Sequence, residues 1–181
     1  AKETEFVDIG SRNTKLYREL IESHKQDIVM LEKEGQEIRD CVDTMMGNFP
    51  FFEGIRQEGC EYEVPAIKEI EGLLWKGKAD IVNHEEGLII DLKTTGDITR
   101  FRSSAYRYNY DSQAYIYSKL FGYEMLFIVM DKTTHQIGIF DCSPDFYQRG
   151  ADKVQQAAEQ YKLFYQNPDF DPNNYFINKT L

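Results

Sequence analysis

The chain has 181 residues, a formal net charge of −10, 41% hydrophobic residues and 14% aromatic residues. Such a length and composition suit one globular domain with a sizeable core rather than a disordered chain. The acidic balance argues against a protein that coats nucleic acid through a general basic field, but it leaves room for a nucleic-acid enzyme with a local basic track. No apolar run is long enough to span a bilayer, so no membrane partner is expected. The opening AKETEFVDIG has no apolar core of a secretory signal, and the missing initiator Met fits a fragment or a processed chain. Cys41, Cys60 and Cys142 are scattered, with no CxxC or His/Cys zinc spacing. They read as reduced thiols of a cytoplasmic protein.

Residues 14–23 predict a short helix with Leu16, Leu20 and Ile21 on one side, and 27–31 an apolar connector. Residues 32–48 predict a longer helix, because Ile38, Cys41, Val42, Met45 and Met46 recur at i, i+3 and i+4 before a Gly47-Asn48 stop. The stretch 49–55, FPFFEGI, reads as an aromatic plug. From residue 60 the period falls to two. Residues 60–66 predict one strand, and 72–83 and 88–95 predict a hairpin closed by the polar turn 84–87. Helices are expected at about 98–107 and 109–121, and a further strand pair at 124–132 and 135–142. Ser143-Pro144 starts a last helix, with Ser as N-cap and Pro in its first turn, running to about Gln166. This order implies an α/β fold, a central mixed sheet flanked by helices. The division expected is one domain: an N-terminal helical part (1–59), a core (60–166) and a tail (167–181).

The strand GLIIDLKTT carries the chemistry. Residues two apart share a strand face, so Ile89, Asp91 and Lys93 point one way and Leu88, Ile90 and Leu92 the other. Both faces begin apolar, as in an interior strand. Burying a carboxylate and an ammonium there costs roughly several kcal/mol per ion unless something compensates. A salt bridge at the strand end is the plain explanation of a lone DxK. Asp80, about ten residues earlier on the preceding strand, changes that reading. A hairpin of this length brings Asp80 beside Asp91, and two converging carboxylates repel unless a cation lies between them. Oxygen donors, including the backbone carbonyl of Leu92, favour Mg²⁺ or Mn²⁺ over zinc. Lys93 is then placed to serve a metal-bound water and a phosphate, a set suited to phosphodiester hydrolysis.

Asp80 followed by Asp91-Leu92-Lys93 resembles the PD-(D/E)XK nuclease superfamily, with Ala79 where the name has proline. Gln113 and Tyr117, one helical turn apart in YRYNYDSQAYIYSKLFG, resemble the Q-x-x-x-Y motif of RecB-like exonucleases, whose side chains line the nuclease site and its DNA. A wider likeness, through NTKLYRELIESHKQDIVMLEKEGQEIRDCVDTMMG, GKADIV, DLKTTGDITRFRSSAYRYNYDSQAYIY and the helix after Ser143, is to exodeoxyribonuclease VIII-type phage and prophage enzymes. It implies a restriction-endonuclease-like core and a metal-dependent exonuclease on double-stranded DNA in recombination or repair. It also implies teaming with a single-strand annealing protein, and assembly as a homo-oligomeric ring. By the same resemblance Asp80 and Asp91 hold the metal, Lys93 serves the water, and Gln113 and Tyr117 position DNA. Those enzymes carry a further metal-ligating His on an upstream helix. No His here precedes His24, which falls after the matching segment. Either that helix lies outside this sequence or the metal site is weakened.

Around this set, Glu61 or Glu63 is an outer or water-bridged ligand, Glu61 being the better placed by the resemblance, or both are surface acids. Thr94 and Thr95 end the strand where hydroxyls can hold a phosphate. Lys76 and Lys78 share strand parity with Asp80, and Arg100, Arg102 and Arg107 lie before Gln113; together they form a candidate DNA track. Tyr106, Tyr108 and Tyr110 are either packing residues or base-stacking ones. His84 and His135 read as turn residues. The alternatives to an exonuclease are a nuclease fold kept as a DNA-binding or assembly module, and an endonuclease of the same superfamily.

Overall fold

Period-two segments in the middle of the chain pair into one mixed sheet, seen in a computed structural model that describes residues 4–24, 28–48, 53–175 and 179–180. Its strands are β3 (Cys60–Ile70), β4 (Leu73–Asn83), β5 (Leu88–Thr95), β6 (Glu124–Asp131) and β7 (Ile137–Asp141), in spatial order β3-β4-β5-β6-β7. Only β5 and β6 run parallel. A parallel pair needs a crossover, and α3 (Phe101–Arg107) and α4 (Tyr110–Phe121) supply it. Pro65 is tolerated because β3 is an edge strand.

The helical face of the sheet is the main core. Ala79, Val82, Ile89, Met125, Phe127 and Val129 pack there against Phe101, Ala105, Ala114 and Phe146. The last helix, α5 (Pro144–Tyr165), starts as its sequence predicts, with the Ser143 hydroxyl accepting from Phe146 N. Gly150 brings α5 against α4: a Cβ there would sit 2.1 Å from the Asp111 carbonyl oxygen. The opposite face buries Ile81, Ile90 and Ile128, with Met45 and Ile55 packed on them.

The N-terminal part is not purely helical. Two four-residue strands, β1 (Thr4–Val7) and β2 (Ile28–Leu31), pair in parallel around α1 (Lys15–Ser23). The stretch expected as a connector is thus a strand. Its carbonyl at Val29 accepts from the Tyr17 hydroxyl, and Tyr17, Val29 and Leu31 form a small separate core. The helix α2 (Glu32–Gly47) has its expected span, but its apolar stripe is only half used. Cys41 is buried, whereas Ile38, Val42 and Met46 are exposed. Residues 49–52, most of the expected aromatic plug, lie outside the described residues. No described helix is long and apolar enough to cross a membrane.

Candidate active site

The site lies where β4 and β5 separate. Their ladder runs only from Asn83↔Leu88 to Ile81↔Ile90. One step further, Asp80 and Asp91 face each other and the backbone pairing stops. The β3 ladder is also interrupted here. Glu63, opposite Asp80 in register, has φ of 55° and makes no ladder pair, although Tyr62↔Ile81 and Val64↔Ala79 pair on either side. On β4, Ala79 belongs to the helical-face core, whereas Ile81, two residues on, belongs to the opposite one. The strand parity expected to run from Lys76 through Lys78 to Asp80 is therefore broken at Asp80.

Asp80 uses this kink to stand in for the missing ladder. Its Oδ2 accepts from the Leu92 amide at 2.9 Å. In an extended strand a residue's N–H and C=O point to the same side, so the Leu92 carbonyl also faces the fork. On the other side of the opening, α4 takes over the β4 edge. The Tyr117 hydroxyl donates to the Lys78 carbonyl at 2.9 Å. Gly77 permits this approach, since a Cβ there would lie 2.8 Å from both Tyr117 and Leu120. That is a structural reason for the glycine in GKAD.

Asp91 is 4% exposed. Its Oδ1 accepts from Gln113 Nε2 at 2.6 Å. Its Oδ2 is shielded from solvent and receives no properly aligned hydrogen bond; it meets the Lys93 ammonium as an ion pair at 2.6 Å. Burial pushes the Asp91 carboxyl above its usual range, against the opposing pull of Lys93, and the nearby Asp80 charge raises it further. Lys93 is held a second time: its Nζ lies 4.8 Å from the centroid of the Tyr110 ring, a cation–π contact. Tyr110 in turn stacks on Phe127.

The residues fit a hard cation. Asp80, Asp91 and the Leu92 carbonyl are oxygen donors, and the two carboxylates lie close enough for the Asp80 charge to act on Asp91. Two carboxylates and one carbonyl would leave positions on such an ion for water and a phosphate, as Mg²⁺ prefers; among the described residues no third His, Cys, Asp or Glu side chain joins them. A cleft beside the fork is lined by Met46, Ile55, Tyr62, Glu63, Asp80 and Leu92.

The structure thus brings together Asp80, Asp91, Leu92, Lys93 and Gln113. It gives the other expected site residues different surroundings. Tyr117 spends its hydroxyl on the β4 backbone. Lys78 is exposed and pairs with Glu63. The exposed Glu61 carboxylate turns to His84, 3.5 Å away. Thr94 is exposed, while the Thr95 hydroxyl closes the turn to Asp97. Arg100 pairs with Asp97 at 3.3 Å, and Arg102 is exposed one residue on. Sequence reasoning missed the left-handed Glu63 opposite Asp80 and Tyr110 as the seat of Lys93. No sequence signal marks a left-handed Glu, and the Tyr110 contact is tertiary.

A mixed sheet forked at two carboxylates, with a lysine two residues beyond the second, defines a domain of the PD-(D/E)XK class with a restriction-endonuclease-like core. The chain belongs to the family described as "PDDEXK-like domain of unknown function (DUF3799)", whose model matches residues 1–173. Among solved structures it is similar to a "Putative exonuclease" from Eubacterium rectale, at 17% identity and a TM-score of 0.60, covering 92% of this chain and 70% of that one. It also matches a phage related exonuclease from Haemophilus somnus 129PT, at 15% identity and a TM-score of 0.42, covering 82% and 81%. The likeness of fold rests on the first of these. No curated protein matches.

Proposed function

We propose that the protein is a divalent-metal-dependent deoxyribonuclease that acts as an exonuclease on linear double-stranded DNA. The observation that carries this reading is the buried Asp91 carboxylate next to Asp80 at the strand fork, with the Lys93 ammonium 2.6 Å from its Oδ2. When bound, Mg²⁺ or Mn²⁺ supplies a Lewis acid for the scissile phosphate and lowers the pKa of a water. Asp80, Asp91 and the Leu92 carbonyl would hold that ion. Gln113 orients Asp91 through its short hydrogen bond. Lys93, steadied by Tyr110 beside Asp91, is the group that would serve the attacking water and the charge developing on the phosphate. The exposed Lys76, Lys78 and Arg102 offer phosphate contacts in an otherwise acidic protein.

Exonuclease action is supported by the motif resemblance and by the name of the Eubacterium rectale neighbour; a role in phage-type recombination or repair, a single-strand annealing partner and a ring assembly rest on the motif resemblance alone. Linear duplex DNA labelled at either end and circular DNA, each incubated with Mg²⁺ and with EDTA, test the reading. Mg²⁺-dependent loss of end label with intact circles supports it. Cleavage of circles would make the enzyme an endonuclease, and intact DNA throughout would leave the fold as a binding or assembly module.

A further inference from the structure

Three tyrosines surround the α3–α4 corner, and they are used differently. Tyr106 lies edge-on to Phe146, with Arg149 4.8 Å from its centroid. Tyr110 is stacked on Phe127 and covers Lys93. Tyr108 is 60% exposed. Packing accounts for the first two and not for the third.

The corner that carries Tyr108 is fixed. Its amide donates to the Ser104 carbonyl at 2.9 Å. Asn109 follows in the left-handed region (φ 58°, ψ 36°), and its Oδ1 accepts from Lys153, which also grips the buried Asp111. The Tyr108 ring is 6.1 Å from that of Tyr110, and the Arg107 guanidinium is 5.9 Å from its centroid. With Lys93 Nζ 4.8 Å from the Tyr110 centroid, the exposed ring stands within about 11 Å of the catalytic ammonium. An exposed aromatic face beside a cation, carried on a hydrogen-bonded corner, is a stacking platform for any base. Inside a duplex both faces of a base are covered by its neighbours, so the base able to use this face is a terminal or unpaired one.

We propose that Tyr108 binds the nucleobase at a DNA strand end, with Arg107 beside it, and so seats that end next to the Asp80–Asp91–Lys93 site. This deepens the nuclease reading and rests on it for the identity of the ligand. The test is a titration in EDTA, so that hydrolysis plays no part, using linear duplex DNA with 2-aminopurine as the terminal nucleotide. Wild-type protein quenches the probe on binding. Tyr108→Phe, which keeps the ring, does the same, whereas Tyr108→Ala raises Kd roughly 5- to 150-fold with unchanged melting temperature. Replacing the terminal nucleotide by an abasic one weakens wild-type binding by a similar factor and costs Tyr108→Ala nothing further. Absence of quenching by the wild type, equal affinity of Tyr108→Ala, or an equal loss by that variant on natural and abasic ends would each overturn the proposal. Because binding is read without metal, a wild type that binds ends through Tyr108 but never hydrolyses DNA would sink the nuclease reading and leave this one standing.

Discussion

Lys153→Met should destabilise the protein and loosen the helix that carries Gln113. Asp111 is fully buried in the first turn of α4. Lys153 Nζ contacts both its oxygens, at 2.9 and 2.7 Å, and also Asn109 Oδ1 at 3.0 Å. Removing one partner of a buried ion pair costs about 3–5 kcal/mol, because the other charge is left uncompensated. Here Asp111 would keep its Ser112 amide donor, Arg149 at 3.8 Å and the favourable end of the helix dipole. The lower end, about 3 kcal/mol, is therefore expected. For a chain of this size that is a fall in Tm of roughly 6–12 °C. Thermal melts followed by circular dichroism would read it for Lys153→Met, Asp111→Asn and the double variant. The double variant should recover part of the loss, since no buried charge is then left uncompensated and Arg149 is solvent-exposed. A Lys153→Met melt within about 2 °C of the wild type would refute this account of the α4–α5 junction.

Gly150→Ala should cost about 1–3 kcal/mol or more by overpacking, since its Cβ meets a backbone oxygen that cannot rotate away; equilibrium denaturation would measure it. Gln113→Ala should raise the Mg²⁺ concentration needed for half-maximal hydrolysis about 10- to 100-fold, the usual cost of losing a partner that orients a metal ligand; a metal titration of activity reads it. Asp131 accepts from the amides of Thr134, Thr133 and Ile98, and these bonds hold its carboxyl below the ordinary value of 3.8. A depressed carboxyl pKa stabilises the fold above its unfolded value, and that contribution is lost as pH falls through the folded one. Melts below about pH 4 should therefore drop steeply for wild type and less steeply for Asp131→Asn.

Much of this fold could be read from the chain because its strongest signals are local. The i, i+3, i+4 apolar spacing of 32–48, the Ser143-Pro144 start and the apolar run into Asp91 each specify an element within a few residues. β1 and β2 escaped because four-residue strands carry little periodicity and exist here only by pairing across α1. The exposure of Ile38, Val42 and Met46 escaped because a periodic stripe says which residues share a side, not whether anything covers it. In the site, Asp80, Asp91 and Lys93 were legible as charges where a buried strand should have none. The parity of the strand bearing Asp80 was not, because the alternation breaks between Ala79 and Ile81 with no residue type there to signal it. Nor could spacing show Tyr110 closing over Lys93, or Tyr117 spending its hydroxyl on a strand carbonyl.

The central claim is that the fork is a metal-dependent hydrolytic site in which Lys93 serves the reacting water and phosphate. Single-turnover hydrolysis of end-labelled linear duplex DNA in saturating Mg²⁺, comparing wild type with Lys93→Ala, tests it most directly. The account predicts a rate lower by about 10²- to 10⁴-fold with DNA affinity largely kept. A Lys93→Ala protein as fast as the wild type would contradict it.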